Sequence, residues 1–180
     1  MQASLLVMIL HFKYFLLLIM LFSIQACNDK PNVFDSYSVA FETPSGNKIW
    51  GRVIRFDDRW SVPLGSMACC WGDAGASSSV FNKPMPKKIY VEWLDESEKR
   101  IYKSTIILSE EISRKAKDLP SIRWDIDGKT SKKLFLIVGF KEQGMVNVWL
   151  SNAVSNKNKT GRVKHLIAEA QAIGEPWTKK

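Results

Sequence analysis

Two adjacent cysteines, Cys69 and Cys70, and a lone downstream histidine, His165, are the residues whose types first suggest chemistry. A thiolate beside an imidazole can attack a carbonyl, but nothing in the local sequence of either cysteine supports pairing with so distant a histidine. A serine nucleophile would need the same His165, and the chain has no Gly-x-Ser-x-Gly turn to present one. Asp57, Asp58, Glu92, Asp95 and Glu98 could supply the paired carboxylates of a glycosidase, yet acids at strand ends and turns are ordinarily just solvated. Zinc would need a ligand pattern that the sequence lacks. The cysteine pair has three readings: two free buried thiols, a vicinal disulfide, or a bridge to another molecule. Free thiols are preferred, because a bridge between neighbours strains the peptide that joins them. These residues lead to the expectation of a non-enzyme with no cofactor and no metal.

The third cysteine, Cys27, closes a different pattern. Lys13 precedes an apolar run from Tyr14 to Phe22, and Ser23-Ile24-Gln25-Ala26 then leads to Cys27. A basic residue, a short apolar core and a small residue at the cut make a secretory signal. The run is shorter than the roughly 20 residues of a membrane-spanning helix. Ile24-Gln25-Ala26-Cys27 resembles the lipobox of bacterial lipoproteins, which implies that Cys27 becomes the first mature residue and is acylated. Two or more acyl chains make such attachment durable. A plain cleaved signal and an uncleaved anchor are the competing readings, and Met8 would serve as an alternative start. Removing residues 1–26 leaves 154 residues, the size of one domain, large enough to fold without a staple. The remainder carries 25 Lys and Arg against 18 Asp and Glu, a balance of +7 that favours anionic neighbours. Export and the scatter of basic residues along strand-like segments argue against nucleic acid.

The elements that would position these residues follow from periodicity. Residues 27–35 read as a tether and residues 36–175 as a single strand-rich domain. Tyr37, Val39 and Phe41 alternate on one face of a strand, and residues 43–47 form a turn. Strands are expected at 48–56 and 59–62. Residues 63–87, rich in Gly, Ser, Ala and Pro, read as a long loop and candidate contact surface. A hairpin is expected over 88–108, then a helix from Ser109 as N-cap to Leu119, and a short strand at 121–126. The most apolar segment, 133–140, should be a central strand paired with 145–150. Residues 162–172 fit both a helical stripe and alternation, and helix is preferred. The fold class expected is α+β, mostly β: an antiparallel sheet or small sandwich with one or two helices.

Of the seven Trp residues, Trp50, Trp93, Trp124 and Trp149 lie in strand patterns and read as core. Trp60, Trp71 and Trp177 lie at turns, where a large amphipathic ring often anchors an interface. Trp71 is the first choice, with Arg52, Arg55 and Arg59 as residues to flank it and steer an acidic partner. The alternative is that Trp71 folds back to cover a sheet edge.

Several short motifs run in a recognisable order: Tyr37-x-Val39-x-Phe41-x-x-Pro44-x-Gly46, Trp71-Gly72, and Pro86-x-x-Ile89-Tyr90-Val91-x-Trp93 with Glu98 and Tyr102. Ile137-Val138-Gly139-Phe140 and Gly144-x-Val146-x-Val148-Trp149-Leu150 complete the set. Together with the lipobox they resemble the Gram-negative lipoprotein family named only as domain of unknown function 2931. The resemblance implies a periplasmic lipoprotein that binds and neutralises a protein partner, an immunity protein against a type VI secretion effector of the phospholipase kind. A structural or assembly lipoprotein, binding lipid, peptidoglycan or another membrane protein, is the alternative. Asn28, where enteric lipoproteins retained at the inner membrane carry Asp, implies sorting to the outer membrane.

Overall fold

The computed structural model describes residues 33–178; Cys27 and the segment read as a signal lie outside them. Residues 32–180 form a compact unit of their own. In chain order its strands are β1 (Val33–Glu42), β2 (Ile49–Phe56), β3 (Trp60–Ser61), β4 (Gly65–Met67), β5 (Ala76–Pro84), β6 (Lys88–Asp95) and β7 (Arg100–Ile107). A short helix, α1 (Ile112–Lys117), leads to β8 (Ile122–Trp124), β9 (Thr130–Ser131) and β10 (Phe135–Phe140). A 3-10 turn (Glu142–Gly144) then precedes β11 (Met145–Ser151), β12 (Lys159–Thr160), β13 (Lys164–Gln171) and β14 (Ile173–Pro176). The mostly β architecture expected from alternation is what the chain adopts.

One sheet has the order β13-β11-β10-β1-β5 and a second the order β14-β7-β6-β2-β3, with β4 also on β2. β12-β8-β9 is a small third sheet. Pairing is antiparallel except between β1 and β10, which run parallel. Val39, Phe41, Leu136, Val138 and Val148 from the five-stranded sheet share one core with Ile54, Phe56, Val91, Trp93 and Ile106 from the six-stranded sheet. The result is a two-layer sandwich closed by apolar burial. All six residues of β10 are buried, because its outer face is covered too. Ala40, Phe135, Ile137 and Trp149 form a second apolar cluster there, under Trp71, Ala74 and Val154.

Four segments depart from the sequence expectation. β1 begins at Val33, three residues inside the stretch read as tether, because Val33 and Phe34 pair with Pro84 and Lys83. The supposed loop 63–87 holds β4 and the nine-residue β5; serines dominate β5 because only alternate positions need be apolar on an edge strand. Residues 164–171 are strand, not helix: β13 edges the sheet beside β11 and turns Ile167, Ala168 and Ala170 to the core. Tertiary pairing decided between two compatible periods. The helix is shorter than the expected 109–119: it runs over Ile112–Lys117 with Glu111, not Ser109, at its N-cap, and Ser109 accepts the N–H of Glu111 at 3.2 Å just ahead of it.

Tyr102 is buried with its ring stacked on Trp93 at 5.3 Å, and its hydroxyl donates to the Glu98 carboxylate. Burial first, and that hydrogen bond second, raise its pKa to about 12. Unfolded tyrosine titrates near 10, so the folded chain holds this proton longer. The contribution of Tyr102 to stability is therefore full below about pH 10 and is lost as pH rises from there through about 12. Tyr37 is also raised, mainly by burial and secondly by Asp57. Denaturant midpoints measured across this range should fall with pH, and Tyr102→Phe should make the fall shallower by one proton. An identical slope in the variant would contradict this.

Candidate partner-binding site

The strand registers give the sandwich two ends. β1 starts at one, where β10 also starts and β5 stops. The other end carries turn 43–48, turn 96–99, the 3-10 turn and the close of β14.

At this second end, the outer face of the six-stranded sheet holds an open aromatic depression of about 430 Å3. It is lined by Trp50, Arg52, Leu94, Ile101, Trp177 and Thr178. Register explains the grouping: Trp50 pairs with Leu94, and Leu94 with Ile101. Trp177 follows Pro176, which pairs with Arg100, and the Trp177 N–H donates to the Lys99 carbonyl at 2.8 Å. Trp50 is 53% exposed, so it is not the core residue its strand pattern suggested. Its neighbour Ile49 takes the inward position, and a bulge between Gly51 and Val53 resets the alternation before Ile54. Arg52 forms an ion pair with Glu92 at 2.8 Å and stays half-exposed.

The other sequence candidates sit elsewhere. Arg55 lies 4.7 Å over the Tyr90 ring on the same outer face, and exposed Arg59 occupies the turn into β3. Trp60 is half-buried, stacked on Phe56 at 4.1 Å. None of these arginines flanks Trp71, whose ring contacts are all with the five-stranded sheet and its turns. Trp71 packs edge-on against Trp149 at 5.2 Å, with the Lys141 ammonium 5.0 Å above it. Beneath, fully buried Glu42 accepts from Lys164 at 2.6 Å and from the Gly72 N–H at 3.2 Å. The Lys164 ammonium lies 3.9 Å over Trp149. A Cβ at Gly139 would come within 2.6 Å of Trp149 and 2.8 Å of Trp71, so only glycine admits both rings. Trp71 therefore folds back, over a sheet face rather than an edge. Trp124 is not core either: it is half-buried in the small sheet, with Lys159 at 4.6 Å over its ring.

Cys69 and Cys70 are joined in a vicinal disulfide, contrary to the preferred reading of free thiols. The local backbone accommodates it: Cys70 has φ 83° and bridges Thr43, while the Thr43 N–H donates to the Cys69 carbonyl at 3.3 Å. A bond between neighbours closes the shortest loop, so by chain entropy it should add only about 1 kcal/mol. Thermal melts with and without reductant should thus differ little, whereas loss of cooperative folding on reduction would refute that estimate.

The acidic candidates are engaged one by one. Asp57 accepts the N–H groups of Lys87 and Lys88 at 2.9 and 2.8 Å. Lys88 hydrogen-bonds Asp58 and holds it below the usual carboxylate range. Asp95 accepts the N–H groups of Ser97 and Glu98 at 2.9 and 3.0 Å, and Glu98 accepts from Tyr102 and from the Gln143 N–H at 2.6 Å. Exposed His165 shares a shallow depression with Lys115, Asp118, Leu119, Leu166 and Ile167, none of which carries a hydroxyl or thiol. Among the described residues no group of three His, Cys, Asp or Glu is arranged for a metal, and no helix is long and apolar enough to cross a membrane.

Among the described residues, fold and surface define a two-sheet sandwich with a small third sheet, one short helix and an open aromatic face. The chain belongs to the family described as protein of unknown function, DUF2931, which it matches over residues 25–177. No curated protein and no solved structure matches it.

Proposed function

We propose that this chain is a lipid-anchored periplasmic protein that binds and neutralises a protein partner, and that the partner is a type VI secretion effector of the phospholipase kind. The observation that carries the binding is the Trp50–Arg52–Trp177 depression. Trp and Arg dominate the residues on which interface affinity depends, and a half-exposed pair of indoles around a guanidinium is costly to leave in water. The depression lies at the end of the sandwich away from the start of β1. A chain held by acyl groups on Cys27 would therefore turn this face away from its own membrane. Anchoring would also concentrate it where an incoming lipase attacks.

Co-expression with effectors encoded beside this chain tests the reading. The natural chain should restore growth under one of them, and Trp50→Ala with Trp177→Ala should abolish protection while protein levels hold. Failure of the natural chain to protect against every such effector would dismiss neutralisation.

A further inference from the structure

The end of the sandwich where β1 begins is built differently. A groove of about 650 Å3 opens there, bounded by the β1–β5 pair, α1 and the segment entering β10. Phe81, Lys117, Lys132 and Lys133 line it, and Asp35 is the one acid among its lining residues. Phe81 is 64% exposed. Ile126, in the turn between β8 and β9, is 80% exposed, more than any other large apolar side chain among the described residues. Trp124 on that hairpin has the ammonium groups of Lys133 and Lys159 over its ring at 5.6 and 4.6 Å.

Topology gathers these features. α1, β8 and β9 lie between the end of β7 and the start of β10, and β12 lies between the end of β11 and the start of β13. Both insertions open on the end where Val33 starts. The acids of these segments are largely taken up internally. Glu110 pairs with Lys87, Glu111 and Asp118 with Arg114, Asp127 with Lys129, and Asp125 accepts from Thr160. Lys132 and Lys133 remain exposed, the Lys132 ammonium donating to the Lys117 carbonyl at 2.8 Å, so the end keeps a basic surplus beside two projecting apolar side chains.

We propose that this end docks on the anionic phospholipid surface of the membrane. Lys132 and Lys133 meet headgroup phosphates, while Phe81 and Ile126 enter the interfacial layer. The orientation rests on the lipid reading of Cys27: five residues lie between it and Val33, so six steps of roughly 3.6 Å at full extension keep the attachment within about 22 Å of β1. The headgroup contact itself does not need the acyl chains.

Residues 32–180 without lipid, sedimented with vesicles, provide the test. Binding should appear on vesicles containing phosphatidylglycerol, be absent on pure phosphatidylcholine, and fade as salt rises. Lys132→Glu with Lys133→Glu should weaken it about tenfold or more. Lys48→Glu with Lys99→Glu, the same charge change at the opposite end, should leave it within about twofold. Phe81→Ser with Ile126→Ser should weaken it as well, with circular dichroism showing every variant folded. Equal loss from both lysine pairs, or equal binding to neutral vesicles, would overturn the docking surface. Mass spectrometry of the full chain reads the acylation of Cys27 separately. An unacylated Cys27 with anionic binding intact would remove the lipid reading and keep the surface.

Discussion

Lys164→Ala is expected to lower the unfolding free energy by about 3–5 kcal/mol, the usual cost of removing one partner of a buried ion pair. Glu42 is fully buried, and its two carboxylate oxygens are satisfied by Lys164 at 2.6 Å and the Gly72 N–H at 3.2 Å. Without the ammonium, a desolvated charge is left with a single weak donor. The same ammonium covers the Trp149 face at 3.9 Å, so its loss also loosens the ring on which Trp71 rests. Adding Glu42→Gln to Lys164→Ala should recover part of the loss, because a neutral amide is far cheaper to bury than an unpaired carboxylate. Urea denaturation midpoints at constant slope measure both effects. A single-variant loss under about 1 kcal/mol would mean that Glu42 is hydrated or relaxes elsewhere, against this geometry.

Trp50→Ala should weaken the proposed complex with the effector by about 2 kcal/mol or more, roughly a thirtyfold rise in Kd. It should leave stability nearly unchanged, since the ring is 53% exposed and surface substitutions usually stay within about 0.5 kcal/mol. Trp71→Ala should behave in the opposite sense. That ring packs on Trp149 and caps the second apolar cluster, so its removal should cost stability before affinity. Titration calorimetry and denaturation on the two variants separate the roles. Equal affinity losses at both sites would point to a recognition surface spread over both faces, which the opposed sheets do not favour.

Alternation made β1 and the β6–β7 hairpin legible and an unbroken apolar run made β10 legible, although β1 begins three residues earlier than expected. What escaped has identifiable causes. β5 is an edge strand with Ser77, Ser78 and Ser79 in its middle, and serine carries no strand signal until a partner is known. Ala168 and Ala170 fit a helical stripe as well as a strand, and only the exposed edge of β11 settled the matter. Of the site, Arg52 and Trp177 were legible as interface residues, but Trp50 was not. Trp50 and Arg52 share a strand face two residues apart, a signal present in the sequence but outweighed by the apolar size of an indole within a strand pattern. The Glu42–Lys164 pair joins residues 122 positions apart, and no local pattern announces it. Nor does local sequence reveal the Cys69–Cys70 bond, which depends on a backbone conformation held by Thr43.

The most direct measurement is inhibition of the purified effector by the purified chain. Phospholipase activity, followed on vesicles while residues 32–180 are titrated in, should fall to baseline near one equivalent and stay high with the Trp50→Ala, Trp177→Ala variant. Activity that persists in the presence of excess natural chain would contradict neutralisation through this face.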